Sequence, residues 1–360
     1  GIAQPPEQPI VRAPETWHYR NKAQFAVDVV AGVPRLGFYE QYTHQLVPAE
    51  NCHIQHPLIN KAASSLARHI HRLDIAPFAE SDGTGILRHV LCRASFSHDE
   101  VLVTLVVATA EFAEKAALAE ALKEDVPELV GVTLNENSQR GNRILGDRNS
   151  VVWGRGYLRE ALQIDDLEIE YHVSAPSFFQ TNPWQAQKLY AIVMDYAEPT
   201  PQDRVLDAYC GTGGITLVLA TAGVREVWGI DIVEQAITDA RENARINGVE
   251  NAFFFAGRVE EIAGQLIQRR GVPNVLVVDP PRSGLGPAFL AWAAELEVDR
   301  WVYVSCNPVT LARDIKLLQP YGYNLDRVQP VDMFPHTAHI ECVALLNFMK
   351  KRSGSAVHPR

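Results

Sequence analysis

Arg204-Val-Leu-Asp207-Ala-Tyr-Cys-Gly211-Thr-Gly213-Gly214-Ile215 is the stretch on which the fold turns. A short apolar run, Val205–Ala208, carries a carboxylate at Asp207 and gives way to a glycine-rich turn, and Ile215–Ala222 then reads as a helix. Glycines let the backbone approach a ligand, and the carboxyl edge of a parallel sheet is where such folds bind. Apolar runs recur at Val227–Ile230, Ala252–Phe255, Val275–Val278 and Val302–Val304, each followed by a helical stretch. That alternation predicts a doubly wound parallel α/β sheet. A last pair, Tyr323–Val331 and Ile340–Phe348, predicts an antiparallel hairpin that closes the sheet at seven strands.

Upstream of Ser174 the pattern is mixed α+β. We expect an extended Tyr19–Val30, a helix near Leu58–Leu73, a strand around Val101–Thr109 and a helix reaching Lys123. Short strands follow near Val132–Leu134, Val151–Trp153 and Leu167–Val173, between glycine and asparagine turns. The expected division is an α+β domain over 1–174, the seven-stranded Rossmann-like domain over 175–350 and a flexible tail over 351–360. At 360 residues and 47% hydrophobic, the chain can bury two ordinary cores.

The longest apolar run, Val101–Ala110, is interrupted by Thr104 and Thr109 and is too short to span a bilayer. Five scattered cysteines with no C-x-x-C pair exclude a disulfide framework and fit a reducing cytoplasm. Cys52-His53-Ile54-Gln55-His56 lacks a second ligand pair for a metal, so no metal site is expected. The net charge of −10 disfavours indiscriminate nucleic-acid binding, because phosphate affinity comes from lysine and arginine. Between Ser138 and Glu160, however, Arg140, Arg143, Arg148, Arg155 and Arg159 stand against only Asp147 and Glu160, with Trp153 and Tyr157 interleaved. Guanidinium groups for phosphates and aromatic faces for unpaired bases suit looped RNA; a solvated hairpin face has the same composition.

Chemistry-bearing groups gather where the predicted strands end. Asp207 is followed by Gly211 and Gly213 without the G-x-G-x-x-G spacing of a pyrophosphate site, and the next run ends in Asp231, placed to accept from ribose hydroxyls. A nucleoside cofactor without a pyrophosphate is implied, and S-adenosylmethionine fits. The fourth run leads into Asp279-Pro280-Pro281-Arg282, a stiff exit that starts with a carboxylate. The fifth leads into Ser305-Cys306-Asn307-Pro308, a thiol just before a helix whose positive end is expected to lower the thiol pKa. Asp332-Met-Phe-Pro335-His336-Thr-Ala-His339-Ile340-Glu341 precedes the last strand.

Asp279-Pro-Pro-Arg, Ser305-Cys-Asn-Pro, His339-Ile-Glu341 and the upstream Ser177-Phe178-Phe179-Gln180-Thr-Asn182 together resemble the motif set of the RNA (uracil-5-)-methyltransferases, which modify transfer RNA or 23S ribosomal RNA. The resemblance runs from Tyr19-Arg20-Asn21-Lys22 to Phe348. It implies a seven-stranded Rossmann-like methyltransferase domain with an N-terminal RNA-recognition domain. Cys306 is then the nucleophile and Glu341 the proton acceptor; Gln180, Asp207, Gly211, Gly213, Asp231 and Asp279 line the cofactor, and Asp279, Phe178 and Asn182 the uracil. Arg140, Arg143 and Arg155 are candidate RNA contacts. Structured RNA is the expected partner, with 23S rRNA favoured because the Tyr-Arg-Asn-Lys and Phe-Phe-Gln-Thr-Asn segments look closer to that branch. No membrane contact and no iron–sulfur cluster are expected, and the chain is read as a monomer. The family's frequent TRAM barrel and four-cysteine site are not expected within these residues, and Asp231 stands where the family often has glutamate. The rivals are another class of methyltransferase, from which Arg282 after the double proline and the placement of Cys306 distinguish this chain, and a non-catalytic RNA-binding protein on the same scaffold.

Overall fold

The structure, a computed structural model, describes residues 6–349 apart from 44, 140 and 142. The expected tail 351–360 and Arg140 lie outside the described residues. Contacts divide the chain into two compact units: Gly1–Pro14, Gln163–Ile169 and Trp184–Arg360 form one, Glu15–Leu162 and Glu170–Pro183 the other. The cut thus differs from the expected one after residue 174.

The unit built on residues 15–162 holds β1 (Lys22–Val30), β2 (Val33–Tyr39), β3 (Leu46–Pro48), α1 (Pro57–Arg72), β4 (Leu87–Ala94), β5 (Val101–Val107), α2 (Lys115–Asp125), β6 (Leu129–Glu136) and β7 (Arg148–Gly154). Their sheet runs β3-β2-β1-β4-β5-β6-β7 and is antiparallel except at β5–β6, which α2 connects. α1 and α2 bury Ile59, Leu66, Leu118 and Leu122 against Phe25, Leu36, Val103 and Leu105. His56 caps α1, its Nδ1 accepting from the Leu58 N–H at 3.1 Å, and burial pushes its pKa down to about 4. Among the described residues β8 (Tyr157–Ile164) and β9 (Leu167–Ser174) pair only with each other.

Sequence patterning does not reveal β4, because Leu-Arg-His-Val-Leu-Cys-Arg-Ala puts two arginines in a central strand. Both are buried, and each guanidinium finds backbone acceptors: Arg88 Nη1 donates to Asn137 O at 2.9 Å and Gln139 O at 2.6 Å, and Arg93 Nη2 donates to Ser177 O. A buried cation is tolerated when its donors are taken up in this way.

The other unit begins with α3 (Pro183–Ala197), whose first residue belongs to the preceding unit, and continues β10 (Arg204–Ala208), α4 (Gly214–Thr221), β11 (Glu226–Asp231), α5 (Glu234–Ile246), β12 (Ala252–Ala256) and α6 (Val259–Arg270). It ends with β13 (Val275–Val278), α7 (Pro287–Glu295), β14 (Arg300–Ser305), α8 (Pro308–Leu318), β15 (Tyr323–Val331) and β16 (Glu341–Phe348). The order is β12-β11-β10-β13-β14-β16-β15, parallel except that β16 runs antiparallel to both β14 and β15. The seven strands match the sequence expectation within a few residues. The order reverses between β10 and β13, which opens a crevice at their carboxyl ends.

Residues 6–14 join this unit because they cover the edge of β15. Gln8 N donates to Val328 O at 2.8 Å, Val11 N to Pro330 O at 2.9 Å, and Asp332 N to Val11 O at 2.9 Å. An edge strand's open backbone groups are thereby satisfied, an effect no local pattern announces.

Asp314 of α8 ties this fold together near the crevice. It is fully buried and accepts from Tyr303 Oη at 2.7 Å and Leu285 N at 2.8 Å, while pairing with Arg313. Asp314→Ala strands these donors, so thermal or urea unfolding should show a loss of about 3 kcal/mol; a loss below about 1 kcal/mol would contradict that role.

Candidate active site

The pleat of the sheet sorts its side chains by parity. Leu206, Ala208, Trp228, Ile230, Leu276, Val278, Trp301, Tyr303, Cys342 and Ala344 share one apolar cluster with α6, α7 and α8. The alternate residues face the other side, where Thr216 of α4 donates to Asp207 Oδ2 at 2.5 Å. Continuing the alternation, Asp207, Asp231, Asp279 and Cys306 all fall on that second face at the carboxyl edge. β16 completes the set. Its register pairs Ser305 with Cys342, so one step further Cys306 stands opposite Glu341, which opens the strand on the same face.

Local chemistry holds each group in place. Tyr209, Gly211 and Gly213 all have positive φ, which bends the chain sharply from β10 into α4. Gly211 N donates to Asp231 Oδ2 at 3.0 Å and Val233 N to Asp231 Oδ1 at 2.9 Å, so the end of β11 fixes the glycine turn. Asn307 caps α8, its Oδ1 accepting from Val309 N at 3.1 Å, and its Nδ2 donates to Arg282 O at 3.1 Å. Arg282 Nη2 in turn donates to His339 Nδ1 at 3.0 Å. The proline loop therefore bridges the thiol's turn and the segment that leads to Glu341.

Burial dominates the electrostatics. Asp207 is fully buried and desolvation pushes its carboxyl up to about 7, with the carboxylates of Asp279 and Asp231 adding to the rise against the Thr216 bond. Asp279 is likewise pushed up to about 7 by desolvation. Glu341, 5% exposed, is held well above the ordinary range by desolvation and by Asp279. The expectation of a lowered thiol pKa is corrected here. Desolvation, then Glu341 and Asp279, raise Cys306, and they outweigh the opposing effect of Arg282. One residue that sequence reading missed also belongs to this face. Tyr190 of α3 is buried, with Asp279 and Asp207 among the groups raising its phenol, and a Cβ on Gly214 would lie 2.5 Å from its hydroxyl. Nothing in the helical pattern of α3 distinguishes it.

The remaining candidates belong to the other unit. Gln180 and Asn182 are buried and Phe178 is exposed. Asn21 holds their loop, donating from Nδ2 to Gln180 O at 3.1 Å and from N to Thr181 O at 2.9 Å. Phe179 packs on Tyr171, and Tyr209 packs on Phe289 of α7, which leaves Phe178 as the exposed aromatic of the three. The arginine-rich segment loses much of its free charge. Glu100 binds both Arg155 and Arg159, Arg143 pairs with Asp147, and Arg148 lies 3.9 Å from Glu136. Glu100 and Glu136 come from outside the segment, so counting charges within it overstated the patch; Arg155 in particular is held by an ion pair.

The sequence model of the tRNA (Uracil-5-)-methyltransferase family matches residues 5–349. The chain belongs to this family. Proteins described as uncharacterized RNA methyltransferases are 39% identical in Enterococcus faecalis, over 95% of this chain and 74% of that one, and 40% identical in Caldanaerobacter subterraneus, over 92% and 72%. Among solved structures, the Pyrococcus abyssi tRNA (uracil-54, C5)-methyltransferase, determined with S-adenosyl-L-homocysteine, is 29% identical with a TM-score of 0.76, over 94% of this chain and 78% of that one. The chain is thus an S-adenosylmethionine-dependent RNA uracil-5-methyltransferase with a Rossmann-like catalytic sheet. No helix among the described residues is long and apolar enough to cross a membrane.

The residues present fit the cofactor. Asp207 Oδ1 is buried without a hydrogen-bond partner, a Cβ on Gly211 would meet nothing within 4 Å, and each Asp231 oxygen keeps a lone pair for a ribose hydroxyl.

Asp207 gives this RNA uracil-5-methyltransferase a measurable pH dependence. A carboxyl raised from 3.8 to about 7 binds a proton that the unfolded chain has released. Its contribution to stability is full below pH 3.8 and is lost as pH rises through about 7. Melting temperatures of the cofactor-free enzyme should therefore fall between these limits, and Asp207→Asn, which keeps an acceptor for Thr216, should flatten the fall. Parallel profiles for the two proteins would refute the assignment.

Proposed function

We propose that the enzyme methylates carbon 5 of a uridine in folded RNA through a covalent bond between Cys306 Sγ and carbon 6, with Glu341 as the base. The observation that carries this reading is the strand register that pairs Ser305 with Cys342, from which the next step along each strand brings Cys306 towards Glu341. Asp207, Gly211, Gly213, Asp231 and Asp279 are the proposed cofactor contacts on that face. Gln180, Phe178 and Asn182 are assigned to cofactor and uracil by family resemblance alone.

Carbon 5 of uracil is a weak nucleophile until carbon 6 is saturated. Sγ reacts as the thiolate, forming the carbon 6–sulfur bond and moving an electron pair onto carbon 5 and the carbon 4 oxygen. Arg282 favours the thiolate, while Glu341 and Asp279 oppose it only when ionised. The raised basicity of these two carboxyls keeps a proton on the pair and so weakens the opposition. S-adenosylmethionine, when bound, supplies the electrophilic methyl group. Once carbon 5 carries the methyl, Glu341, ionised when the shared proton rests on Asp279, removes the proton left there. The electron pair re-forms the 5,6 double bond and Sγ departs as thiolate. A carboxylate held above its ordinary range is the stronger acceptor for that proton.

Two observations point to different RNAs. The segments around Arg20 and Gln180 favour 23S rRNA, whereas the Pyrococcus abyssi relative acts on tRNA. A target base inside either fold has to be splayed out at a cost of a few kcal/mol, and exposed Phe178 is the proposed stacking surface.

With methyl-labelled cofactor and tRNA or 23S rRNA fragments in parallel, label should appear as 5-methyluridine in one pool. Cys306→Ala should abolish both methylation and denaturant-resistant RNA adducts. Glu341→Gln should pass the methyl step and accumulate the adduct, with turnover down by at least about 10²-fold. Wild-type turnover by Cys306→Ala would end the covalent reading.

A further inference from the structure

In the unit built on residues 15–162, three cations meet at the start of β1. Lys22 stands directly opposite Arg93 in the β1–β4 register, and Arg20 Nε donates to Lys22 O at 2.9 Å. Arg20 and Lys22 are each half-buried, and among the described residues no carboxylate pairs with either. This contrasts with Arg143, Arg148, Arg155 and Arg159, each of which has an acid partner. The backbone around them is fixed: Arg20 N donates to Ile54 O and His56 N to Arg20 O, both at 2.9 Å. Within the same unit Asn21, between the two cations, holds the loop at Gln180 and Thr181, and Arg93 holds it at Ser177.

We propose that Arg20 and Lys22 form a binding site for a backbone phosphate of the RNA substrate, next to the loop that carries Phe178 and Gln180. Half-buried charges without a counter-ion are costly, and an anion that arrives with the ligand repays the cost. A planar guanidinium beside an ammonium matches a phosphate's two free oxygens. The state of Lys22 agrees: desolvation, then Arg93 and Arg20, push its pKa down to about 7. An arriving phosphate restores the charge, so binding draws a proton onto Lys22. The cofactor's carboxylate is the other oxyanion to consider, since Gln180 of the same unit is a proposed cofactor contact, whereas the glycine turn and Asp231 belong to the other unit. The proposal rests on the reading of the chain as an RNA methyltransferase.

The test titrates the full chain with a fluorescent stem–loop RNA carrying unpaired uridines, over a series of salt concentrations, and measures S-adenosylhomocysteine binding by calorimetry. Wild-type binding and methylation of RNA are established first; their absence would overturn the RNA reading and the proposal with it. Arg20→Gln and Lys22→Gln should each weaken RNA about ten-fold and flatten the slope of log affinity against log salt by about 0.7, one phosphate contact on a single strand. Lys22→Arg should keep the slope, and Lys22→Gln should lose the proton uptake seen on RNA binding at pH 8. Cofactor affinity and melting temperature should hold in all three. Unchanged RNA affinity and slope in both glutamine variants would overturn the proposal while leaving methylation intact. So would loss of S-adenosylhomocysteine binding with RNA affinity retained, which would assign the oxyanion to the cofactor.

Discussion

The catalytic unit depends on one antiparallel strand inserted into a parallel sheet. Parallel strands β10, β11, β13 and β14 all end at the same edge, and the pleat turns Asp207, Asp231, Asp279 and Cys306 to one face there. No parallel strand could begin at that edge and bring a new residue to it. β16 runs the other way, so its first residue, Glu341, arrives where β14 ends, opposite Cys306. Hydrogen bonding between strands therefore fixes the spacing of Cys306 and Glu341, since one directly follows β14 and the other opens β16.

That arrangement gathers carboxyls in a desolvated place. Asp207, Asp279 and Glu341 are all raised, and desolvation together with Glu341 and Asp279 raises Cys306 in turn. A structure optimised for stability alone would not collect these groups. Carboxyls gathered in this way suit a cofactor that carries a sulfonium cation. The helix terminus at Pro308 is not enough to make Cys306 a low-pKa thiol, and Arg282, held by Asn307 and His339, is the local cation that opposes the carboxylates.

In the other unit cations play two roles. Buried Arg88 and Arg93 are structural, donating to backbone carbonyls of distant loops, and Arg88 also pairs with Glu80. Arg155 and Arg159 are neutralised by Glu100. Arg20 and Lys22 fit neither description, which makes them informative despite a net charge of −10 for the whole chain.

The sequence by itself located the seven strands of the catalytic sheet, because short apolar runs bounded by turn residues mark all of them but β15, whose residues are mixed. It also determined the chemistry available at their ends, because Asp279-Pro-Pro-Arg and Ser305-Cys-Asn-Pro sit where strands stop. It did not reveal β4, where arginines interrupt the apolar pattern, or the packing of residues 6–14 along β15, which depends on an edge far away in the chain. It left the segment from Arg143 to Arg159 open between two readings, since Glu100 and Glu136 reach it only through the fold. Only tertiary structure decided the direction of the Cys306 shift and placed Tyr190 beside Gly214. Burial and long-range charge are sums over neighbours, and the neighbours of these residues come from strands and helices that are remote in the sequence.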